Sequence, residues 1–498
     1  MRSRKALINI ISSLILQIIS IICGFMVPKL IISKYGSSVN GLVTSITQFL
    51  AFITLMELGF GPVIKSVLYK PIANKDKDSI KKILKASEKI FRNISYIFLL
   101  YIVGLCIILP FVIAKEFEVF YTVSLIIVIA ISTFAEYFWG MTYSLYIQAE
   151  QKKYVVSIIQ IGTLILNTIV VLILINSSAS IHIVKLASSL IFVLRPILQN
   201  IYVRKKCNIN LKDVKEVYKI QQKWDGLAQH IAYIVHNNTD VIILTLCRSL
   251  ADVSVYSVYL MIVNSVKNIV ASFVGGLDST LGDMIARGEH ENLNRSFKVY
   301  EAFYFTIATI LFGSTLFLIV PFVKIYTQGV LDANYIRPTF AYLMVLVKFV
   351  FTIRQPYNDL VKVSGHFKQT KIGAWVEAFS NITISLILVW KYGIVGVAIG
   401  TLFAMCVRTI EFMCYTSKHI LKRNIWVGFK NLIIIIVEIV FISIIMNFIP
   451  KFEVYSYETW VVSAIYVFVI TLGIVIFINS FVHKDSLKII KKMIRIAK

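Results

Sequence analysis

Apolar residues occur along this chain in long unbroken runs with short polar breaks between them, and a run of roughly 20 is what one helical crossing of a bilayer core needs. The pattern predicts spans near 7–33, 39–66, 95–114, 119–147, 154–176 and 181–203. A second series follows near 224–247, 253–276, 301–323, 338–361, 369–390, 393–416, 428–449 and 459–481. The expected fold class is an all-α membrane protein with about 14 transmembrane helices. The runs are continuous, whereas the strands of a transmembrane β-barrel alternate apolar and polar positions. The first run follows "MRSRK", is too long for a signal-peptide core and meets no small-x-small cleavage site, so it reads as a retained anchor.

Basic residues test the helix count, because an invented or missed helix would scramble their alternation between the two sides. With the N-terminus inside, 36 of the 51 Lys and Arg fall in inside segments. Only seven, Lys34, Lys115, Arg248, Lys324, Arg337, Lys391 and Lys451, fall in outside loops. The expectation is a multi-pass protein of the cell membrane with both termini cytoplasmic. Composition agrees: 58% of 498 residues are hydrophobic, 15% are charged, and the mean hydropathy is +0.79. The net charge of +25 is then mostly topological. "KDKDSIKKILKASEKIFR" (75–92), "RKK" (204–206) and the tail "KIIKKMIRIAK" face membrane lipids with anionic headgroups, and no nucleic acid is an expected partner.

Soluble chemistry finds little footing. The six cysteines (23, 106, 207, 247, 406 and 414) form no CxxC and have no histidine at ligand spacing, so neither a metal nor a cofactor is expected. No GxxxxGK[ST], HExxH or GxSxG occurs. "DKD" at 76–78 sits in a Lys-rich amphipathic stretch and reads as a solvated helix face. The outside loops are short, and the largest inside one, 204–223, carries no matched carboxylate pair, so the chain is not expected to be an enzyme.

Charge inside the spans is the informative part. Lys29, Lys65, Lys185, Arg195, Lys267, Lys348, Arg354 and Arg408 are embedded, as are Glu57, Glu136, Asp240, Asp278, Asp359, Glu377, Glu411 and Glu438. At roughly 2.5 to 3.5 kcal/mol each, such residues face a cavity, an interface or one another. Lys65, Lys185, Arg195 and Arg408 lie near span ends, where their stems can snorkel, and Arg408 has Glu411 at i+3. Lys267, Lys348 and Arg354 are deeper, and Lys29 follows Pro28. Lys348, Thr352, Gln355, Asp359 and Lys362 draw one polar stripe down a helix that Pro356 interrupts. Ser257, Asn264 and Lys267 share a face of an earlier span. "HNNTD" (236–240) puts His236 and Asp240 on one face of another, suited either to a water-filled cavity or to an interhelical hydrogen-bond clamp.

A weak repeat relates "VNGLVTSITQFLAFITLMELGFG" from 39 to "VSVYSVYLMIVNSVKNIVASFVGG" from 253, a shift of 214. It predicts two pseudo-symmetric six-helix lobes, 1–206 and 224–424, joined by a cytoplasmic linker at 207–223 and followed by two C-terminal helices and a basic tail at 425–498.

"PKLIISKYGSSVNGLVTSITQFLAFITLMELGFG" (28–61) resembles the start of polysaccharide flippases of the multidrug/oligosaccharidyl-lipid/polysaccharide exporter superfamily, and "HNNTDVIILT" with "VSVYSVYLMI" is similar to the start of their second lobe. The resemblance implies alternating access around a central cavity. The implied partner is a lipid-linked oligosaccharide on an undecaprenyl pyrophosphate carrier, moved from the inner to the outer leaflet for capsule or other cell-surface polysaccharide. Coupling to protons or sodium goes with such a mechanism. A pyrophosphate needs cations and a glycan needs amides and hydroxyls. The expected substrate-binding residues are accordingly Lys29, Lys267, Lys348, Arg354, Gln355 and Asn264, with Asp240, His236 and Glu57 expected in coupling or gating. A lipid II flippase and a cation-coupled multidrug exporter of the same superfamily are the rival readings.

Overall fold

The computed structural model describes residues 2–54, 60–207, 227–274, 277–448 and 454–482, with Leu211, Val214 and Tyr218 between them. Among the described residues every regular element is helical. In chain order these are α1 (Arg2–Tyr35), α2 (Ser37–Leu50), α3 (Phe60–Ala73), α4 (Lys77–Val112), α5 (Val119–Ala149), α6 (Lys153–Asn176), α7 (Ile181–Cys207), α8 (Leu227–Cys247) and α9 (Leu250–Val274). They continue with α10 (Leu277–Ala286), α11 (His290–Tyr326), α12 (Pro338–Ile353), α13 (Gln355–Val363), α14 (Lys371–Tyr392), α15 (Ile394–Ile420), α16 (Trp426–Phe448) and α17 (Tyr457–Val482).

Eleven of these are long and apolar enough to cross a membrane, which makes this a multi-pass membrane protein. The other three expected spans are shorter or interrupted. The segment expected at 39–66 becomes α2, a short turn at Ala51–Ile53, and α3, while 224–247 becomes the 21-residue α8 with its polar cluster at 236–240. The segment 338–361 is divided at Arg354 into α12 and α13, because Pro356 brings no N–H to the helix interior. Two helices run well past the bilayer: α4 and α11 span 36 and 37 residues. The N-terminus of α4 is capped by Asp76, whose carboxylate accepts from the Ser79 N–H at 3.0 Å and from the Ser79 hydroxyl. Those two bonds hold the Asp76 carboxyl below its ordinary range.

The chain forms two compact units, Met1–Ser254 and Val255–Lys498. In the first, α1 packs on α6, α6 on α7, and α7 on α5, while α8 lies against α2. Helix α5 contains a π-helical turn at Glu136–Gly140, and there Gly140 approaches Pro196 of α7 so closely that a Cβ would lie 2.8 Å from the proline Cβ. In the second unit α14 and α15 form a tight hairpin. "GVAIG" (396–400) faces α14, and Cβ atoms at Gly396 and Gly400 would lie 2.3 Å from the Leu388 carbonyl and the Ser385 hydroxyl. The α16–α17 pair packs on α11 around Ile310, Leu318, Ile442, Met446, Val467, Ile474 and Val475.

Candidate functional site

The second unit gathers three of the expected cations around one ring. Lys267 Nζ, Lys348 Nζ and Arg354 Cζ lie 5.6, 5.4 and 4.8 Å from the centroid of Phe351. Lys348 and Arg354 stand one turn on either side of Phe351, Lys348 and Phe351 on α12 and Arg354 at the break that follows it, while Lys267 reaches in from α9. Lys348 and Arg354 are 3% and 6% exposed; Lys267 is half-buried. Ring faces attract cations by their quadrupole, which offsets part of the repulsion among three like charges. Asn264, one turn before Lys267 on α9, has a buried Oδ1 that accepts no hydrogen bond. Such an atom costs free energy unless something fills it.

Arg354 belongs to a second arrangement as well. Its Nη1 donates to Glu377 Oε1 at 2.8 Å, and both residues are buried. Arg408 Nε lies 3.3 Å from the other Glu377 oxygen, and its Nη1 reaches Glu411 and the Thr370 carbonyl. Its guanidinium also stacks 4.0 Å from the Phe412 centroid. The i+3 contact of Arg408 with Glu411 is thus present, and Arg408 is locked in place. Gln355 donates to Asp359 Oδ1 at 2.7 Å, and Tyr300 donates to Asp359 Oδ2 at 3.0 Å. The polar stripe therefore ends in hydrogen bonds among its own members.

The expected coupling residues fall in the first unit. Asp240 is 4% exposed, and Asn238 and Thr239 beside it are also buried. Lys29 is half-buried in α1. Glu57 and the side chain of His236 lie outside the described residues.

No known family model matches the sequence, and no curated protein matches it. Solved structures do. The lipid II flippase MurJ, in an inward closed conformation, aligns with a TM-score of 0.65 over 97% of this chain and 100% of its own, at 14% identity. A eukaryotic MATE transporter aligns at 0.58 over 83% of this chain and 95% of its own, at 12% identity. An inward-facing multidrug resistance MATE transporter of the MOP superfamily gives 0.55 over 82% and 98%, also at 12% identity. This chain has the MurJ and MATE fold. The proteins that share it here are flippases and transporters, not enzymes.

In this MurJ-like fold the internal repeat extends to side chains. Arg195 Nε donates to the Thr163 hydroxyl at 2.8 Å across α6 and α7; Arg408 and Glu377, which meet across α14 and α15, stand 213 and 214 residues further on. The sequence reading missed the ring that organises the cations and the partner of Arg354. Phe351 is one of 33 phenylalanines, and only its place midway between Lys348 and Arg354 distinguishes it. A further cluster went unread: Arg423 donates to both Glu301 oxygens at 3.0 and 2.8 Å, and the Tyr357 hydroxyl donates to the same carboxylate.

Proposed function

We propose that the chain is a flippase for a lipid-linked oligosaccharide. It moves an undecaprenyl-pyrophosphate-linked glycan from the inner to the outer leaflet of the cell membrane by alternating access, in the synthesis of capsule or another surface polysaccharide. The observation that carries this reading is the gathering of Lys267 and Lys348 at Phe351, beside the unfilled carbonyl of Asn264. Ammonium groups at membrane depth suit a pyrophosphate, and an amide oxygen suits a sugar hydroxyl. Arg354 and Gln355 border that site, Lys29 supplies a further cation, and Asp240, His236 and Glu57 act in coupling or gating, with protons or sodium as the ion. The reading takes the lobes as 1–206 and 224–424, reads fourteen spans by counting the interrupted segments, and puts both termini in the cytoplasm. A drug exporter working on cationic compounds would gain nothing from three cations at one ring.

Lipid II-type cargo is the second reading. It is favoured by the extent of the MurJ likeness, which reaches 97% of this chain against 82% for the inward-facing MATE transporter. Deleting the gene and identifying the accumulated lipid-linked intermediates by mass spectrometry separates the two. A surface-polysaccharide repeat unit on the carrier is the expected result, accumulation of the peptidoglycan precursor supports the second reading, and no accumulation rejects both.

A further inference from the structure

Within the first unit, α2 meets the α8–α9 corner through three contacts, and Glu116, between α4 and α5, adds a fourth. Asn40 Nδ2 donates to Ser254 Oγ at 2.8 Å, and the hydroxyls of Ser45 and Thr245 lie 2.7 Å apart, all four residues being buried. The Glu116 carboxylate accepts the Leu250 N–H at 3.0 and 3.3 Å, capping α9. A Cβ on Gly41 would sit 1.8 Å from the Leu250 carbonyl oxygen, so the two backbones touch only because residue 41 has no side chain.

Asn40 and Ser254 are 214 residues apart, which is the shift of the internal repeat, so each is the counterpart of the other. In a two-fold arrangement a residue meets its own counterpart only on the axis. The contact therefore joins equivalent positions of the repeat. Its chemistry is that of a joint made to open. Hydroxyls, an amide and a helix terminus can trade their partners for water at small net cost. Leu42 and Ile46, both fully buried, lie next along α2.

We propose that Asn40, Gly41, Ser45, Glu116, Thr245, Leu250 and Ser254 form the seal that closes the outer side of the transport path, and that it parts each time cargo leaves. The placement on the outer side rests on the transport reading and its orientation. The glycine sets how tightly the seal closes, and the hydrogen bonds set how readily it opens.

The test needs no knowledge of the cargo. In the full-length chain with its six cysteines replaced by Ala, Ile46→Cys serves as the reporter, and a membrane-impermeant maleimide is added to whole cells. Slow labelling is expected, rising about tenfold when Gly41→Ala is added and similarly with Asn40→Ala, since losing one such contact shifts a two-state equilibrium by that order. In a separate chain, Asn40→Cys with Ser254→Cys should form a disulfide on mild oxidation. Unchanged labelling with both Gly41→Ala and Asn40→Ala, or no disulfide, overturns the seal. Faster labelling only in inverted vesicles overturns its position on the outer side. If labelling and disulfide behave as expected while gene deletion leaves lipid-linked intermediates unchanged, the seal stands and the cargo reading falls.

Discussion

Lys267, Lys348 and Arg354 share a ring but not a role. Arg354 sits in a balanced set of two guanidiniums and two carboxylates, Arg354, Arg408, Glu377 and Glu411, so removing it leaves two acids facing one cation in low dielectric. Arg354→Gln is expected to destabilise the folded chain by on the order of 3 kcal/mol, and Arg354→Gln with Glu377→Gln to recover most of that loss, because Arg408 and Glu411 remain matched. Thermal unfolding in detergent measures both, and a double variant no better than the single one removes the pairing argument. Lys267→Gln, in contrast, should reach the membrane at normal levels and stop export, with lipid-linked intermediates accumulating inside, and Lys348→Gln should stop export per molecule that reaches the membrane. The depth of all three cations was legible in the sequence because charge inside an apolar run is conspicuous. The partnership of Arg354 with Glu377 was not, because embedded acids and cations are equal in number and nothing local says which meet.

Helix interruptions were legible where a residue type enforces them. Pro356 marks the division of α12 from α13, since it removes one backbone donor and crowds the preceding turn. Pro356→Ala is expected to make the helix continuous through Arg354, raise the unfolding temperature by a few degrees and slow export. Export at the normal rate from such a stiffened protein would show the break to be incidental. The π-helical turn at Glu136–Gly140 carried no such signal, because it follows from the packing of Gly140 on Pro196. Hydropathy was likewise blind to the polar turns that extend α4 back to Lys77 and α11 to His290, where helix continues but apolar character does not. At Gly373 a Cβ would lie 1.6 Å from the Glu411 carboxylate, the far end of a half-exposed side chain. Gly373→Ala is therefore expected to displace Glu411 from Arg408 at a cost of about 2 kcal/mol, because Arg408 is buried, while leaving α14 in place. Loss of the folded protein in a membrane-level assay would show that the α14–α15 packing itself requires the glycine.

For the molecule as a whole, the long apolar runs carried the fold class, because a bilayer imposes helices of spanning length. The two C-terminal helices lie outside the repeat, and their attachment had to be seen. Helices α16 and α17 pack on α11 at Gly313, where a Cβ would lie 3.3 Å from both Ile442 and Thr471 side chains. A buried hydrogen bond, Asn479 Nδ2 to Glu438 Oε1 at 2.7 Å, joins the two helices to each other. In lipid there is little hydrophobic drive holding helices together, since acyl chains cover an apolar face about as well as a neighbour does. A chain ending at residue 424 loses Glu438 and Asn479 together, so neither member of that pair is stranded, and it keeps Arg423 on Glu301. The truncated chain is therefore expected to insert normally and to form the Asn40→Cys/Ser254→Cys disulfide as efficiently as the full chain. Under the proposed function, with α16 and α17 as the surface that the carrier's polyprenyl tail lies on, it should nevertheless fail to export. Truncated protein that inserts, closes its seal and still restores full polymer export would separate α16 and α17 from the carrier and leave them a structural appendage.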